Sequence, residues 1–147
     1  MLRGNHTAKI DDKGRLKVPS AFRASIEEKY GTRLFVTSLD GESVRVYPMA
    51  VWEAIEARLA AMPSTHPARR KFLDRASYFG QVAELDGQGR LLIHPRLRES
   101  AAINGEVAVL GLLTYLDVWN HERFVSSRIA QNPLTDEDLG ALSASGI

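Results

Sequence analysis

The stretch that decides the fold is "IDDKGRLKVPSAFR", Ile10 to Arg23, because the chain writes it twice. Seventy-five residues further on it reads "LDGQGRLLIHPRLR", Leu85 to Arg98. Asp11, Gly14, Arg15, Leu16 and Arg23 match Asp86, Gly89, Arg90, Leu91 and Arg98, and apolar Val18 and Phe22 match Ile93 and Leu97. Self-similarity at a fixed offset is the mark of a duplicated structural unit.

Each copy has the same local plan. An alternating strand, "HTAKI" or "QVAEL", leads into a turn, "DDKG" or "DGQG". Asp opens the turn, and Gly supplies a backbone position free of the Cβ penalty. A short strand follows, "RLKV" or "RLLI", then a helix whose start is marked by Pro19 or Pro95. Phe22 and Ile26 share one helix face, as do Leu97 and Ala101, and Gly31 and Gly105 are the predicted stops. Two further strands come next: "RLFVTS" and "SVRVY" in the first copy, "EVAVLGL" and "TYLDVW" in the second. The second pair is more apolar, which predicts deeper burial. A helix closes each unit, "PMAVWEAIEARLAAM" and "HERFVSSRIAQ"; the stripe Trp52, Ile55, Leu59 and Met62 predicts a core or subunit contact.

The chain thus divides into a first repeat, 1–62, a partly helical linker, 63–77, a second repeat, 78–131, and an acidic tail, 132–147, predicted to be mobile. Units of about 60 residues are marginal as independent cores, so the two should pack on each other or on other chains.

Composition narrows the function. No run of 18 apolar residues exists, so no membrane span is expected. The polar "MLRGNHTAKIDDKGR" lacks the apolar region of a secretory signal. Cysteine is absent, which excludes disulfides and thiolate metal sites and suits a cytoplasmic protein. His6, His66, His94 and His121 have no metal-ligand spacing. No nucleophile elbow or phosphate-binding loop is present, so neither an enzyme, a cofactor nor a small-molecule substrate is expected. The net charge is only +1, yet residues 1–33 hold eight basic side chains against four acidic ones. A local basic face suits a polyanion such as DNA.

"GRLKVPSAFR" resembles the signature of AbrB-type swapped-hairpin DNA-binding domains. The duplication, the opening "MLRG" and both Asp-x-x-x-Arg pieces resemble the MraZ family, bacterial regulators of the division and cell-wall cluster, over residues 1–131. The resemblance implies an α+β fold, mostly β: a double-split β-barrel built from two AbrB-like repeats, with helices packed around it. It implies a ring-shaped homo-oligomer in the cytoplasm, associated with the nucleoid. It also implies sequence-specific binding to short direct repeats in promoter DNA ahead of the protein's own gene, with repression. By motif match, Asp11 and Arg15 form the first pair, Asp86 and Arg90 the second, and Arg3 belongs to the family's N-terminal Arg-Gly.

Physical chemistry assigns roles within that frame. The arginine fork of Arg15 or Arg90 spans guanine O6 and N7. Lys13 stands at a hairpin tip, with Gln88 as its uncharged counterpart. Arg3 and Lys9 suit phosphates, contacts that position rather than specify. Asp11, Gly14, Asp86 and Gly89 read as turn scaffold. The first hairpin is expected to grip DNA, with the second assisting or holding the fold together. Two alternatives stay open: an antitoxin-like interaction module whose acidic tail binds a protein, and a nucleoid component without sequence preference.

Overall fold

The computed structural model describes residues 1–147. The first repeat contributes β1 (Leu2–Lys9), β2 (Arg15–Lys17), α1 (Ser20–Tyr30), β3 (Arg33–Thr37), β4 (Val44–Pro48) and α2 (Met49–Ala61). After α3 (Pro67–Phe79), the second contributes β5 (Gln81–Glu84), β6 (Arg90–Leu92), α4 (Pro95–Ser100), β7 (Glu106–Leu113) and β8 (Tyr115–Asn120). A short α5 (His121–Arg123) continues as a π-helical turn, Phe124–Ile129, and α6 (Asp136–Ala144) ends the chain. No helix is long and apolar enough to cross a membrane.

The fold is mixed α+β, with a six-stranded antiparallel sheet in the order β1-β7-β8-β4-β3-β5 and a separate two-stranded ribbon, β2-β6. The strands do not close into a barrel. The two repeats interleave instead. β1 of the first repeat pairs with β7 of the second, and β5 of the second pairs with β3 of the first. At the centre β4 meets β8, Val44 opposite Val118 and Val46 opposite Leu116. The sheet order therefore reads the same from both ends once corresponding strands are equated, which is an internal pseudo-two-fold. Its axis also passes through the ribbon, where Leu16 lies opposite Leu91.

One core follows from this exchange. Leu16, Val18, Leu91 and Ile93 from the ribbon, Phe22 and Ile26 from α1, and Leu97 from α4 pack on the inner face of the sheet. There they meet Leu34, Val36, Val107 and Val109, among others. On the other face α2 and α3 cover β3 and β4. Trp52 stacks on Phe35 at 4.5 Å between ring centres and lies 5.1 Å from Tyr47, and Phe72 of α3 stacks beyond it at 6.1 Å. Phe72 and Ala76 of α3 thus pack in this second layer.

Two local expectations are corrected. The second hairpin is not the deeper one: Leu112 and Leu113 are 40 % and 60 % exposed, whereas β3 and β4 bury most of their residues, Leu34, Val36, Val44 and Val46 in the inner core and Tyr47 in the layer under α2 and α3. Second, α4 stops at Ser100, well before Gly105. The chain turns at Ala102, φ 53°, with Ile103 N–H donating to the Arg98 carbonyl at 2.9 Å. A left-handed residue other than Gly costs about 1–2 kcal/mol, and the burial of Ile103 beside it offsets that cost. The acidic tail carries α6, with a capping box in which Thr135 and Asp138 exchange hydrogen bonds. None of its residues is buried.

Asp117 is the one buried acid. Its Oδ2 accepts from Trp119 Nε1 at 2.8 Å, while Oδ1 is buried without a partner. Burial raises its pKa above the usual carboxylate range. Its stabilising contribution is therefore complete when the acid is protonated and is lost as pH rises through the raised value. Asp117→Asn is expected to stabilise the protein at neutral pH and to change little below about pH 4, as read by urea denaturation at both conditions.

Candidate nucleic-acid interface

The two repeated hairpins end in one surface. Along a strand, alternate side chains face opposite ways. In the ribbon Leu16 and Leu91 turn inward and are fully buried. Arg15 and Lys17 from β2, with Arg90 and Leu92 from β6, turn outward. Lys17 stands directly opposite Arg90, and Arg15 opposite Leu92. Lys9, at the end of β1, joins Asp11, Arg15, Lys17 and Arg90 around a cleft of about 310 Å³ beside the ribbon.

The turns are built by their aspartates. Asp11 Oδ1 accepts from the backbone N–H groups of Lys13 and Arg15 at 3.0 and 2.8 Å, and Oδ2 from Arg15 Nε at 2.8 Å. Asp86 Oδ1 likewise accepts from Gln88 and Arg90 N–H groups at 2.8 and 2.9 Å. The copies differ at the side chain. Arg15 is tied to its aspartate, whereas Arg90 has no carboxylate partner within salt-bridge distance. The Arg15 backbone hydrogen bond, helped by its guanidinium, holds Asp11 below the usual aspartate range; the Arg90 backbone bond does the same for Asp86. Such contributions persist above the ordinary pKa and disappear as pH falls through the depressed one. The amide shifts of Arg15 and Arg90 should therefore titrate with midpoints below the free-aspartate value of about 3.9, as followed by nitrogen-proton correlation spectra. Midpoints at or above that value would show that the carboxylates do not hold the turns.

The sequence-derived candidates do not all gather here. Lys13 and Gln88 are exposed at the two hairpin turns, but β2 and β6 are antiparallel, so the turns lie at opposite ends of the ribbon. Arg3 sits at the far end of β1, opposite Leu112, about 20 Å along the strand from Lys9. Lys17 escaped the sequence reading, although its position two residues after Arg15 on a short strand places both on one face. Pro19 has its counterpart in His94, which caps α4 by accepting from Arg96 N–H through Nδ1 at 3.1 Å. His66 caps α3 in the same way at 3.1 Å.

The fold and the site define a class: a two-repeat α+β protein whose exchanged hairpins unite in one basic ribbon. The model of the family described as "MraZ protein, putative antitoxin-like" matches residues 1–75 and 81–141. A protein of Koribacter versatilis named transcriptional regulator MraZ is 53 % identical over the full length of both chains. One of the same name from Acidobacterium capsulatum is 48 % identical, again over both full lengths. A third, from Acidithiobacillus ferrooxidans, is 37 % identical over 84 % of this chain and 85 % of its own. The chain belongs to the MraZ family.

Proposed function

We propose that the protein is a DNA-binding transcription regulator that reads short direct repeats ahead of its own gene and represses from there. The observation that carries this reading is the exposed face of the ribbon, where Arg15, Lys17 and Arg90 from both repeats stand together. A two-stranded ribbon fits the major groove, and an arginine fork there reads guanine. Lys9 beside it suits a phosphate. The relatives' name, transcriptional regulator, agrees with this use.

The ribbon is not symmetric in charge. β2 presents Arg15 and Lys17, β6 presents Arg90 and Leu92. Asp11 pre-aims Arg15, while Arg90 is free to adjust to its base. In this reading both repeats touch DNA, and the assisting role falls on Arg90. Such a small site binds weakly alone. Several copies of such a two-repeat subunit on a closed homo-oligomeric ring gain effective concentration on regularly spaced sites. Direct repeats suit such head-to-tail assembly, as palindromes suit two-fold dimers. The protein then resides with the nucleoid in the cytoplasm.

The test is a titration of the protein's own upstream duplex and a scrambled duplex of equal composition across a salt series. Tighter binding to the repeats at every salt supports the reading. Equal binding with equal salt slopes would reduce the protein to a non-specific DNA coat.

A further inference from the structure

Two arginines that this reading leaves unused reach across the repeat boundary. Gly14 and Gly89 are buried in the hairpin turns at φ 81° and 74°. A Cβ at Gly14 would stand 2.5 Å from Arg98 Cζ, and one at Gly89 would stand 2.7 Å from Arg23 Cδ. Each arginine thus leaves a helix of one repeat and lies against the turn glycine of the other. Arg23 Nη2 donates to the Gly87 carbonyl at 3.1 Å, inside the second hairpin's turn. Arg98 Nε donates to the Ile93 carbonyl at 2.9 Å, and the Ile93 N–H in turn donates to the Gly14 carbonyl at 2.9 Å. The reciprocal backbone bond, Val18 N–H to the Gly89 carbonyl, is also 2.9 Å.

We propose that Arg23 and Arg98 are positioning residues that aim the hairpins in trans: α4 sets the first hairpin and α1 the second. This deepens the DNA-reading proposal and rests on it for its functional consequence. The physical basis is the shape of the group. A guanidinium is planar with donors in a fixed fork, so it packs against a backbone and hydrogen-bonds in one geometry. Only a residue without Cβ leaves room for it at Gly14 and Gly89. Side chains that read bases need supports of this kind, since a loosely held site loses its target geometry. The two clamps differ in bracing. Glu27 holds Arg23 at 3.0 Å, whereas Ala102 occupies the corresponding place one turn beyond Arg98. The first hairpin is therefore held by the less braced arginine.

The experiment uses the full chain with Arg98→Met, which keeps the stem, and Arg98→Lys, which keeps the charge. Amide hydrogen exchange is followed at both turns, with binding to repeat and scrambled duplexes at fixed salt. Both variants should speed exchange at Lys13 to Arg15 in the first repeat and leave Gln88 to Arg90 unchanged. Affinity for repeat DNA should fall by about ten-fold, the scale of one lost bidentate base contact, with little change on scrambled DNA. Arg23→Met should give the converse pattern in the exchange. Unchanged exchange at the first turn would overturn the proposal. So would equal weakening on both duplexes in Arg98→Met with a salt slope lower by about one, the mark of a direct phosphate contact. If the wild-type chain shows no preference for repeats, the DNA reading fails, and the exchange pattern still decides whether the arginines position the hairpins in trans.

Discussion

Arg15→Ala is expected to remove the preference for repeat DNA while the protein stays folded and assembled. The side chain projects from the outward face of the ribbon, away from Leu16 and the core. Its one carboxylate partner is Asp11, in a pair whose members are each about one-third exposed. The turn keeps the backbone hydrogen bonds from Lys13 and residue 15 to Asp11 Oδ1, because these do not use the side chain. What is lost is a fork able to span two acceptors of one guanine, worth about 1–3 kcal/mol of discrimination per module. In a ring engaging several repeats, that loss recurs at each contact. Anisotropy titrations should show wild-type-like binding to scrambled DNA, weaker by one phosphate-scale contact at most. The thermal melt should move little. An unchanged affinity for repeats would remove Arg15 from the reading surface.

Leu91→Ala is expected to destabilise the protein strongly. Leu91 and its partner Leu16 are both fully buried and sit on the pseudo-two-fold axis. They are the inward residues of strands only three residues long. A core Leu→Ala change costs about 2–5 kcal/mol, against a total stability of about 5–15 kcal/mol for a typical domain. Because the strands are exchanged, the lesion should weaken both repeats together, giving one shifted transition rather than two. The neighbouring Leu92→Ala is the control. Leu92 is 55 % exposed, and surface changes stay within about 0.5 kcal/mol. Chemical denaturation followed by tryptophan fluorescence measures both. A shift for Leu91→Ala no larger than that for Leu92→Ala would contradict the ribbon's place in the core.

Much of this architecture was legible because its signals are local. The turn residues Asp11 and Gly14, the alternation around Leu16 and the spacing of Phe22 and Ile26 each report on a few neighbouring residues, and the duplication doubled each signal. Which strands exchange partners was not legible. Alternation tells which face of β1 is apolar, but Leu2 opposite Leu113 and Ala8 opposite Val107 are pairings across about a hundred residues. The same gap hid the trans contacts of Arg23 and Arg98, which look like ordinary helix-surface arginines in sequence. Lys17 and α6 are different cases. The first follows from the alternation that placed Arg15, and the second from the Thr135 to Asp138 capping pattern; both signals were present and outweighed by the turn motif and by the tail's acidity.

The central claim is that both repeats contribute to a single reading ribbon. Its most direct test is the affinity of Arg90→Ala for repeat and scrambled duplexes at one fixed salt, set beside Arg15→Ala. Arg90 lies in the second repeat, opposite Lys17, and has no carboxylate to satisfy it in the free protein. Loss of most of the repeat preference in both variants is the predicted result. Full retention of the preference in Arg90→Ala, with its loss confined to Arg15→Ala, would show that the first repeat reads alone.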